Sequence, residues 1–315
     1  MLSRVAERLY WAARYVERTE NTARLLNAFN MLMLDLPKGV GLSWGQLIDI
    51  CGGNVEFKAA YRSANERNTM AFMLSDKTNP GSILTGVGMA RENLRTTRDI
   101  VPSEAFESVN ELLIFVRRRL KSRTLHTRMY DFLSEVVHRC QGITGMLAGT
   151  MSHDAAYQFV RVGRNLERAD MTTRILDVGS ATLIASDAEL ERLEHRLWTW
   201  LLGALSAHQA YRQSVRRQVT APVAAGYLLH DTLFPRAVLH SLGEIRSCVK
   251  ELPRNTSAVR AVARVERLVR DSDMHEIFPQ SFHAFIDDLQ VALGDIHSSI
   301  QRTWFEPGGR GQAVG

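Results

Sequence analysis

The sequence predicts an all-α protein, a large helical bundle built from two duplicated halves related by pseudo-twofold symmetry. Apolar residues recur along most of the 315-residue chain at the spacing of one helix face, and strand-like alternation is nearly absent. The eight prolines lie near the ends of these periodic segments. A thirteen-residue motif occurs twice, 150 positions apart, which indicates an internal repeat.

The periodicity predicts about twelve helices. In the first half they lie near 1–35, 43–52, 55–75, 81–99, 102–120 and 124–148. In the second half they lie near 151–180, 187–218, 222–230, 234–250, 255–273 and 281–304. The sequence Asn79-Pro80-Gly81-Ser82 is typical of a turn, and Pro102 marks a helix start. We therefore expect two packed halves, 1–150 and 151–304, and a Gly-rich disordered tail over 305–315.

The repeat has four blocks of matching residues in the same order. Residues 14–26 are RYVERTENTARLL and residues 164–176 are RNLERADMTTRIL. The other blocks are Trp44 and Leu47 with Trp198 and Leu201, Tyr61-Arg62 with Tyr211-Arg212, and 72–91 with 227–246. The small drift in offset, from 150 to 155, favours a duplicated ancestral half over chance.

Composition excludes several functional classes. The net charge of +5 and the pI of about 9.3 are mildly basic, but no basic stripe is interleaved with aromatic residues, so we expect no nucleic-acid partner. No apolar run approaches the ~18 residues of a membrane span, and the N-terminus lacks the pattern of a signal peptide. Cys51, Cys140 and Cys248 lack metal spacing and are typical of core cysteines in a reducing compartment, so we expect a cytoplasmic protein.

The first motif places charges on a helix that is apolar on two sides. Successive residues of a helix diverge by about 100°, so Glu17 and Arg18 cannot pair with each other. Glu17 shares a stripe with Tyr10 and Arg24, whereas Arg18 lies on the aromatic side of the helix. Because an unpaired buried charge is very costly, each must find a partner on another helix or on a ligand.

The two motifs together predict a charged site near the axis between the halves. Glu17 and Glu167 are the candidate catalytic residues, as general bases. The candidate ligand-binding residues are Arg14, Glu17, Arg18, Arg24, Arg91, Glu92, Arg95, Arg164, Glu167, Arg168, Arg174 and Arg236. The excess of arginine over glutamate favours an anionic ligand: a phosphate, a carboxylate or an acidic peptide. The alternative is a network that only fixes helix register.

No motif for a metal or a cofactor is present, so we expect neither. A di-metal carboxylate bundle needs two Glu-x-x-His motifs, and this chain has one such spacing, between Glu135 and His138. The glycines of TGVGMA (85–90) lack a preceding strand and the Lys-Ser/Thr ending of a phosphate loop. No nucleophile elbow occurs.

Four segments resemble motifs of a known family, the alpha-E domain proteins of bacteria. They are YWAARYVERTENTARLL (10–26), NPGSILTGVGMARENLRTTRD (79–99), HDAAYQFVRVGRNLERADMTTRILD (153–177) and LHDTLFPRAVLHSLGEI (229–245). That family is named for an all-α fold with a recurring Glu-Arg motif. The resemblance extends from Met1 to about residue 304. The chain departs from it at Pro235-Arg236-Ala237, where the resemblance predicts Pro-Arg-Ser.

The resemblance implies a partner more than a reaction. Such proteins are typically encoded beside a circularly permuted ATP-grasp ligase, often near a transglutaminase-like peptidase and sometimes near a proteasome-like peptidase. A role in making or modifying a peptide is implied. The first hypothesis is a non-catalytic helical component that binds the ligase or its peptide. The second is an enzyme acting on a peptide or an acyl-phosphate, and the third is a structural scaffold for an oligomer.

Overall fold

The computed structural model describes residues 3–35, 43–184, 188–278 and 280–306, and within them it contains helices and no strands. The all-α fold class is therefore confirmed. The first eight α-helices are α1 Ser3–Asp35, α2 Gly45–Cys51, α3 Asn54–Ala60, α4 Glu66–Ser75, α5 Ile83–Arg95, α6 Ser103–Leu120, α7 Met129–Thr150 and α8 Ala155–Ile184. The others are α9 Ala188–Ala204, α10 His208–Ser214, α11 Ala221–His230, α12 Val238–Lys250, α13 Thr256–Arg270, α14 Met274–Ile277 and α15 Phe282–Ile300, followed by a π-helical turn, Gln301–Phe305.

The described residues hold fifteen α-helices, where about twelve were predicted, because two predicted helices are broken and one short helix was missed. The predicted helix 55–75 divides at Tyr61, whose backbone is extended, and α4 begins after an Asn65 cap. The predicted helix 187–218 divides at Ser206, whose φ of 54° is left-handed. The missed helix is α14, which Asp273 caps.

The two longest helices, α1 and α8, pack against each other at the centre of the molecule. Helix α1 also packs on α5 and α7, and α8 packs on α12 and α15. Leu9 and Ala23 on one side of α1 are buried, and Leu25 and Phe29 on the other side are buried as well. This central position explains why α1 is apolar on two sides. No helix in the described ranges is long and apolar enough to cross a bilayer.

Close approach of α1 and α8 depends on one glycine. A Cβ atom at Gly163 would lie 2.3 Å from the backbone carbonyl oxygen of Tyr10. Any side chain at this position would therefore force the two helices apart. Across the same pair of helices lie the charged residues of both motifs.

Two proline turns lie against the central helices in the same way. The Thr22 hydroxyl donates to the Gly81 carbonyl oxygen at 3.5 Å, and the Thr172 hydroxyl donates to the Arg236 carbonyl oxygen at 2.9 Å. Ser82 then caps α5 by accepting the Thr85 N–H, whereas Ala237 begins α12 without a side-chain cap. The similar contacts agree with a duplicated half, and the duplication and its division at 150/151 stay predictions.

The predicted tail begins at a packed residue. Phe305 is buried, and its ring contacts the rings of Tyr10 and Phe159. Residues 307–315 lie outside the described residues.

Candidate functional site

The motif glutamate of α8 is held by two arginines of α1. Glu167 is 1% exposed, and its Oε2 accepts the Nε–H of Arg14 at 2.7 Å. Arg18 donates through Nε to Oε1 and through Nη2 to Oε2, the latter at 3.0 Å. The Arg14 guanidinium also donates to the Tyr10 hydroxyl at 3.2 Å and lies over the Trp11 ring. Both carboxylate oxygens of Glu167 are therefore occupied by cationic donors.

The motif glutamate of α1 is held from the opposite side. Glu17 is also 1% exposed, and its Oε1 accepts N–H groups from Arg168 at 2.9 Å and from Arg236 at 3.0 Å. Arg236 lies in the turn before α12 and also donates to Glu20 at 2.7 Å and to Asn21. The glutamates therefore do not meet each other, because each is neutralised by arginines from beyond its own helix.

The two glutamates remain ionised. Burial alone would raise the pKa of Glu167, but the Arg18 and Arg14 guanidiniums outweigh burial and lower that pKa to about 2. Burial opposes ionisation of Glu17 in the same way, and Arg168 and Arg236 outweigh it, so the pKa of Glu17 is also lowered. A general base works best with a pKa near the working pH. Both carboxylates are consequently poor proton acceptors at neutral pH.

The last arginine of each motif pairs along its own helix. Arg24 Nε donates to Glu20 at 2.9 Å, and Arg174 Nε donates to Asp170 at 3.0 Å, each four residues apart. Arg24 also donates to the Ser206 hydroxyl, which joins α1 to the end of α9.

Arg164 is brought to the network but is left without an ion-pair partner in the part of the chain that the structure describes. Its Nε has no hydrogen-bond partner, and neither does Oε2 of Glu17. Burial and the neighbouring Arg168 lower the pKa of Arg164, while Glu17 raises it. Arg164 lines a mainly apolar cavity of about 20 Å³, which has room for one water.

A polar pocket of about 140 Å³ lies beside this network. Gly81 of the turn before α5 lines this pocket. The charged residues of the lining are Arg18, Glu56, Glu167, Asp170 and Arg174. The side chains of Asp170 and Arg174 are 18% and 33% exposed, so the pocket reaches solvent. Two of its cations are already paired, since Arg18 binds Glu167 and Arg174 binds Asp170.

These interlocked Glu-Arg pairs are the structural form of a family motif. The family model named Alpha-E, described as "a predicted alpha-helical domain with a conserved ER motif", matches residues 1–305. The chain belongs to the Alpha-E family. Its motif joins the two central helices of the domain.

The Alpha-E domain has relatives in mycobacteria. Uncharacterized proteins of Mycobacterium bovis and of Mycobacterium tuberculosis (strains CDC 1551 and H37Rv) are each 22% identical over 328 residues, covering 95% of this chain. The chain spans about a third, 36%, of the length of these relatives. No solved structure matches.

Three predicted site residues of the Alpha-E domain lie outside the network. Arg91 donates to Asn110 of α6 at 2.8 Å, and Glu92 pairs with Arg95 at 2.6 Å, with both side chains about half exposed. None of the three is joined to Glu17 or Glu167 by a hydrogen bond or ion pair within the described residues. The structure thus places them in a surface pair and a helix–helix contact.

Several network residues were missed from the sequence. Glu20 and Asp170 occupy the acidic position that the two motifs share, which was the available signal. Asn21 and His297 gave no such signal. In the structure Asn21 accepts from Arg236, and one hydrogen bond of 2.8 Å joins His297 Nδ1 to the Tyr10 hydroxyl.

Among the described residues, the structure brings together one group of side chains that could hold a metal ion, and it does not include Glu135 or His138. Glu135 pairs with Arg139 at 2.7 Å. One atom each of Asp177, His283 and Asp287 lie within 4.8 Å of one another, and such a group could hold a metal ion. The sequence gave no signal for it because Asp177 and His283 are 106 residues apart.

Proposed function

We propose that this Alpha-E protein is a non-catalytic, peptide- or partner-binding component that acts with an ATP-grasp ligase in bacterial peptide synthesis or modification. The observation that carries the proposal is the pairing of both motif glutamates with arginines from beyond their own helix. This pairing commits the candidate bases and their arginines to holding α1 and α8 together. Asp170 and Arg174 of the second motif are partly exposed and line the pocket beside Gly81, which therefore is the proposed binding site.

The chemistry of the centre supports binding over catalysis. Glu17 and Glu167 are each 1% exposed, and their pKa values are lowered. Glu167 is held through both carboxylate oxygens and Glu17 through Oε1, so neither buried, ionised carboxylate reaches a substrate or takes up a proton readily at neutral pH. Arg14 and Arg18 would likewise have to leave Glu167 before they could stabilise a developing negative charge.

The mycobacterial relatives support a role beside other protein parts. Most of each relative lies outside the region that this chain matches, since the match covers 36% of its length. An Alpha-E region in these proteins is thus one section of a longer polypeptide. We infer that the Alpha-E domain of this protein likewise acts beside other protein parts.

The identity of the partner follows from the family resemblance. An ATP-grasp ligase is the first proposed partner, and a transglutaminase-like or proteasome-like peptidase would act on the same peptide. We place the protein in the cytoplasm, because such a ligase requires ATP.

Co-purification tests the proposed function. The chain would be co-expressed with the ATP-grasp ligase encoded nearest to it and examined by size-exclusion chromatography with light scattering, with and without ATP and a candidate peptide. We expect a complex of defined stoichiometry under at least one of these conditions. Absence of a complex under all of them would refute the proposed partnership.

An enzyme remains the second candidate, and a specific observation favours it. Glu17 Oε2 and Arg164 Nε both lack partners, so they could bind one reacting group between them. Glu17→Gln would then abolish product formation while the fold stays intact. Full activity of Glu17→Gln and of Glu167→Gln in folded protein would exclude both residues as bases, and unfolding of both variants would favour the scaffold alternative.

A further inference from the structure

We propose that the pocket beside Gly81 binds a guanidinium group, in the place that the Arg236 side chain takes on the other side of the molecule. The ligand class is a peptide with an accessible arginine. This inference rests on the proposed function, because it identifies what the proposed binding site recognises.

Arg236 shows how this fold holds a guanidinium. Its side chain is buried in the turn before α12 and donates to Glu17, Glu20 and Asn21 of α1. Three acceptors on two turns of one helix thus share a single guanidinium. The planar fork of arginine suits such an arrangement, since it presents five donors in fixed directions.

The turn before α5 is held in the same way but carries no side chain. Gly81 stands where Arg236 stands, because the carbonyl oxygen of each accepts a threonine hydroxyl from a central helix. Facing Gly81 are Glu167 and Asp170, which occupy the motif positions of Glu17 and Glu20. Met171 stands where Asn21 stands, and both oxygens of Glu167 already accept from Arg14 and Arg18. The acceptors open to a guanidinium in the pocket are therefore Asp170 and Glu56.

The neighbouring arginines are also matched. Arg174 pairs with Asp170 four residues before it, as Arg24 pairs with Glu20. The Arg24 guanidinium and the Arg236 guanidinium nevertheless share Glu20. Asp170 can accept a second guanidinium in the same manner, because an ionised carboxylate has about four lone-pair sites.

The charge of the pocket favours a cation. Glu56 of α3 lines the pocket and has no ion-pair partner among the residues that the structure describes. The lining thus contains three carboxylates and two guanidiniums, and both guanidiniums are paired. A phosphate or an acidic peptide, the class that the arginine excess favours, would need these guanidiniums to be free.

The pocket is large enough for the proposed group. Its volume of about 140 Å³ is some ten times the ~10–15 Å³ that a single water requires. Pro80 and the glycines Gly52 and Gly53 form part of the wall and leave space beside Gly81, and the remaining lining residues are Thr22, Cys51, Asn79 and Met171.

Binding to the isolated chain tests this inference. N-acetyl-arginine amide would be titrated into the protein and followed by calorimetry and NMR, beside N-acetyl-citrulline amide, which has the same shape without the charge. We expect saturable binding of the arginine compound. The citrulline compound should bind at least about tenfold more weakly, because hydrogen bonds between charged groups are the stronger ones. Inorganic phosphate should not compete.

Gly81→Arg provides the decisive variant and Gly81→Ala its matched control. A Cβ at Gly81 would lie 3.2 Å from Asn79 Oδ1, so both variants require the same small adjustment of one side chain. Gly81→Arg should fill the pocket with the protein's own guanidinium and abolish binding, whereas Gly81→Ala should retain it. If Gly81→Arg does not fold, Glu56→Gln replaces it, with an expected loss of several-fold in affinity.

Three results with the wild-type protein would overturn the inference: no saturable binding of the arginine compound, equal binding of citrulline, or displacement by phosphate. Unchanged binding in Gly81→Arg would do so as well. Co-purification with the ligase is a separate readout. Loss of arginine binding with an intact ligase complex would refute this inference alone, and arginine binding without any ligase complex would refute the proposed partnership alone.

Discussion

Replacing Glu167 with glutamine removes one charge from the centre of the molecule and changes almost nothing in shape. In the native protein the Glu167 carboxylate accepts N–H groups from Arg14 at 2.7 Å and from Arg18 at 3.0 Å. The amide of Glu167→Gln keeps one acceptor oxygen, but its nitrogen is a donor. That nitrogen would face the N–H group of an arginine, and two guanidiniums would lose their counter-charge.

The expected cost follows from burial. The Glu167 side chain is 1% exposed, and those of Arg14 and Arg18 are 10% and 24% exposed. Breaking a buried ion pair by removal of one partner typically costs ~3–5 kcal/mol, so we expect Glu167→Gln to lower the free energy of unfolding by about that amount. The Glu92–Arg95 pair is a control on the surface, where Glu92→Gln should leave the urea midpoint nearly unchanged because solvent screens an exposed ion pair.

Urea unfolding at pH 7, followed by circular dichroism, measures both variants. The wild-type contribution of Glu167 also depends on pH in a defined direction. Because its folded pKa of about 2 lies below the ordinary value of 4.5, the stabilisation is present above pH 4.5 and is lost as the pH falls toward 2. A Glu167→Gln protein within about 1 kcal/mol of wild type would refute a stabilising role for the network.

Three further predictions follow from particular contacts. Gly163→Ala should destabilise by ~1–3 kcal/mol or more because its Cβ would meet the α1 backbone, whereas Gly145→Ala, with open space around its Cβ, should be neutral or stabilising in urea unfolding. Ala237→Ser should give α12 the side-chain cap that Ser82 gives to α5 and raise the free energy of unfolding by ~1 kcal/mol. A lower urea midpoint than wild type would contradict this prediction. Burial and nearby positive charge lower the pKa of His297, so the unfolded state binds more protons below pH ~6.5 and stability should fall as the pH falls through that range. In His297→Gln the urea midpoints at pH 7.5 and 5.5 should differ less than in wild type, and an unchanged difference would contradict the assignment.

The central helices could be predicted because their information is local. An apolar pattern on two sides of α1 indicates a helix surrounded by protein, and the structure confirms this. Likewise, the 100° between Glu17 and Arg18 required partners beyond their own pair, and the structure supplies them from Arg168, Arg236 and Glu167.

The helix breaks were missed because their causes are backbone conformations that periodicity does not encode. Ser206 adopts a left-handed conformation that is more usual for glycine, whereas the nearest glycine, Gly203, lies inside α9. Tyr61 ends α3 in an extended conformation, and the polar segment 62–68 that follows it contains the Asn65 cap of α4.

The pocket beside Gly81 was missed because it arises from an absent side chain. Arg236 was identified as a site residue, but its role depends on its distance from Glu17 and Glu20, which are 219 and 216 residues away along the chain. The counterpart at Gly81 has no chemistry of its own. Only three-dimensional placement shows that acceptors face it.

A crystal structure of the protein with N-acetyl-arginine amide tests the central claim most directly. We predict a guanidinium beside Gly81, within hydrogen-bonding distance of the Asp170 or Glu56 carboxylate, and an unchanged pairing of Glu17 with Arg236. A ligand bound elsewhere, or a phosphate between Arg18 and Arg174 in place of the guanidinium, would contradict it.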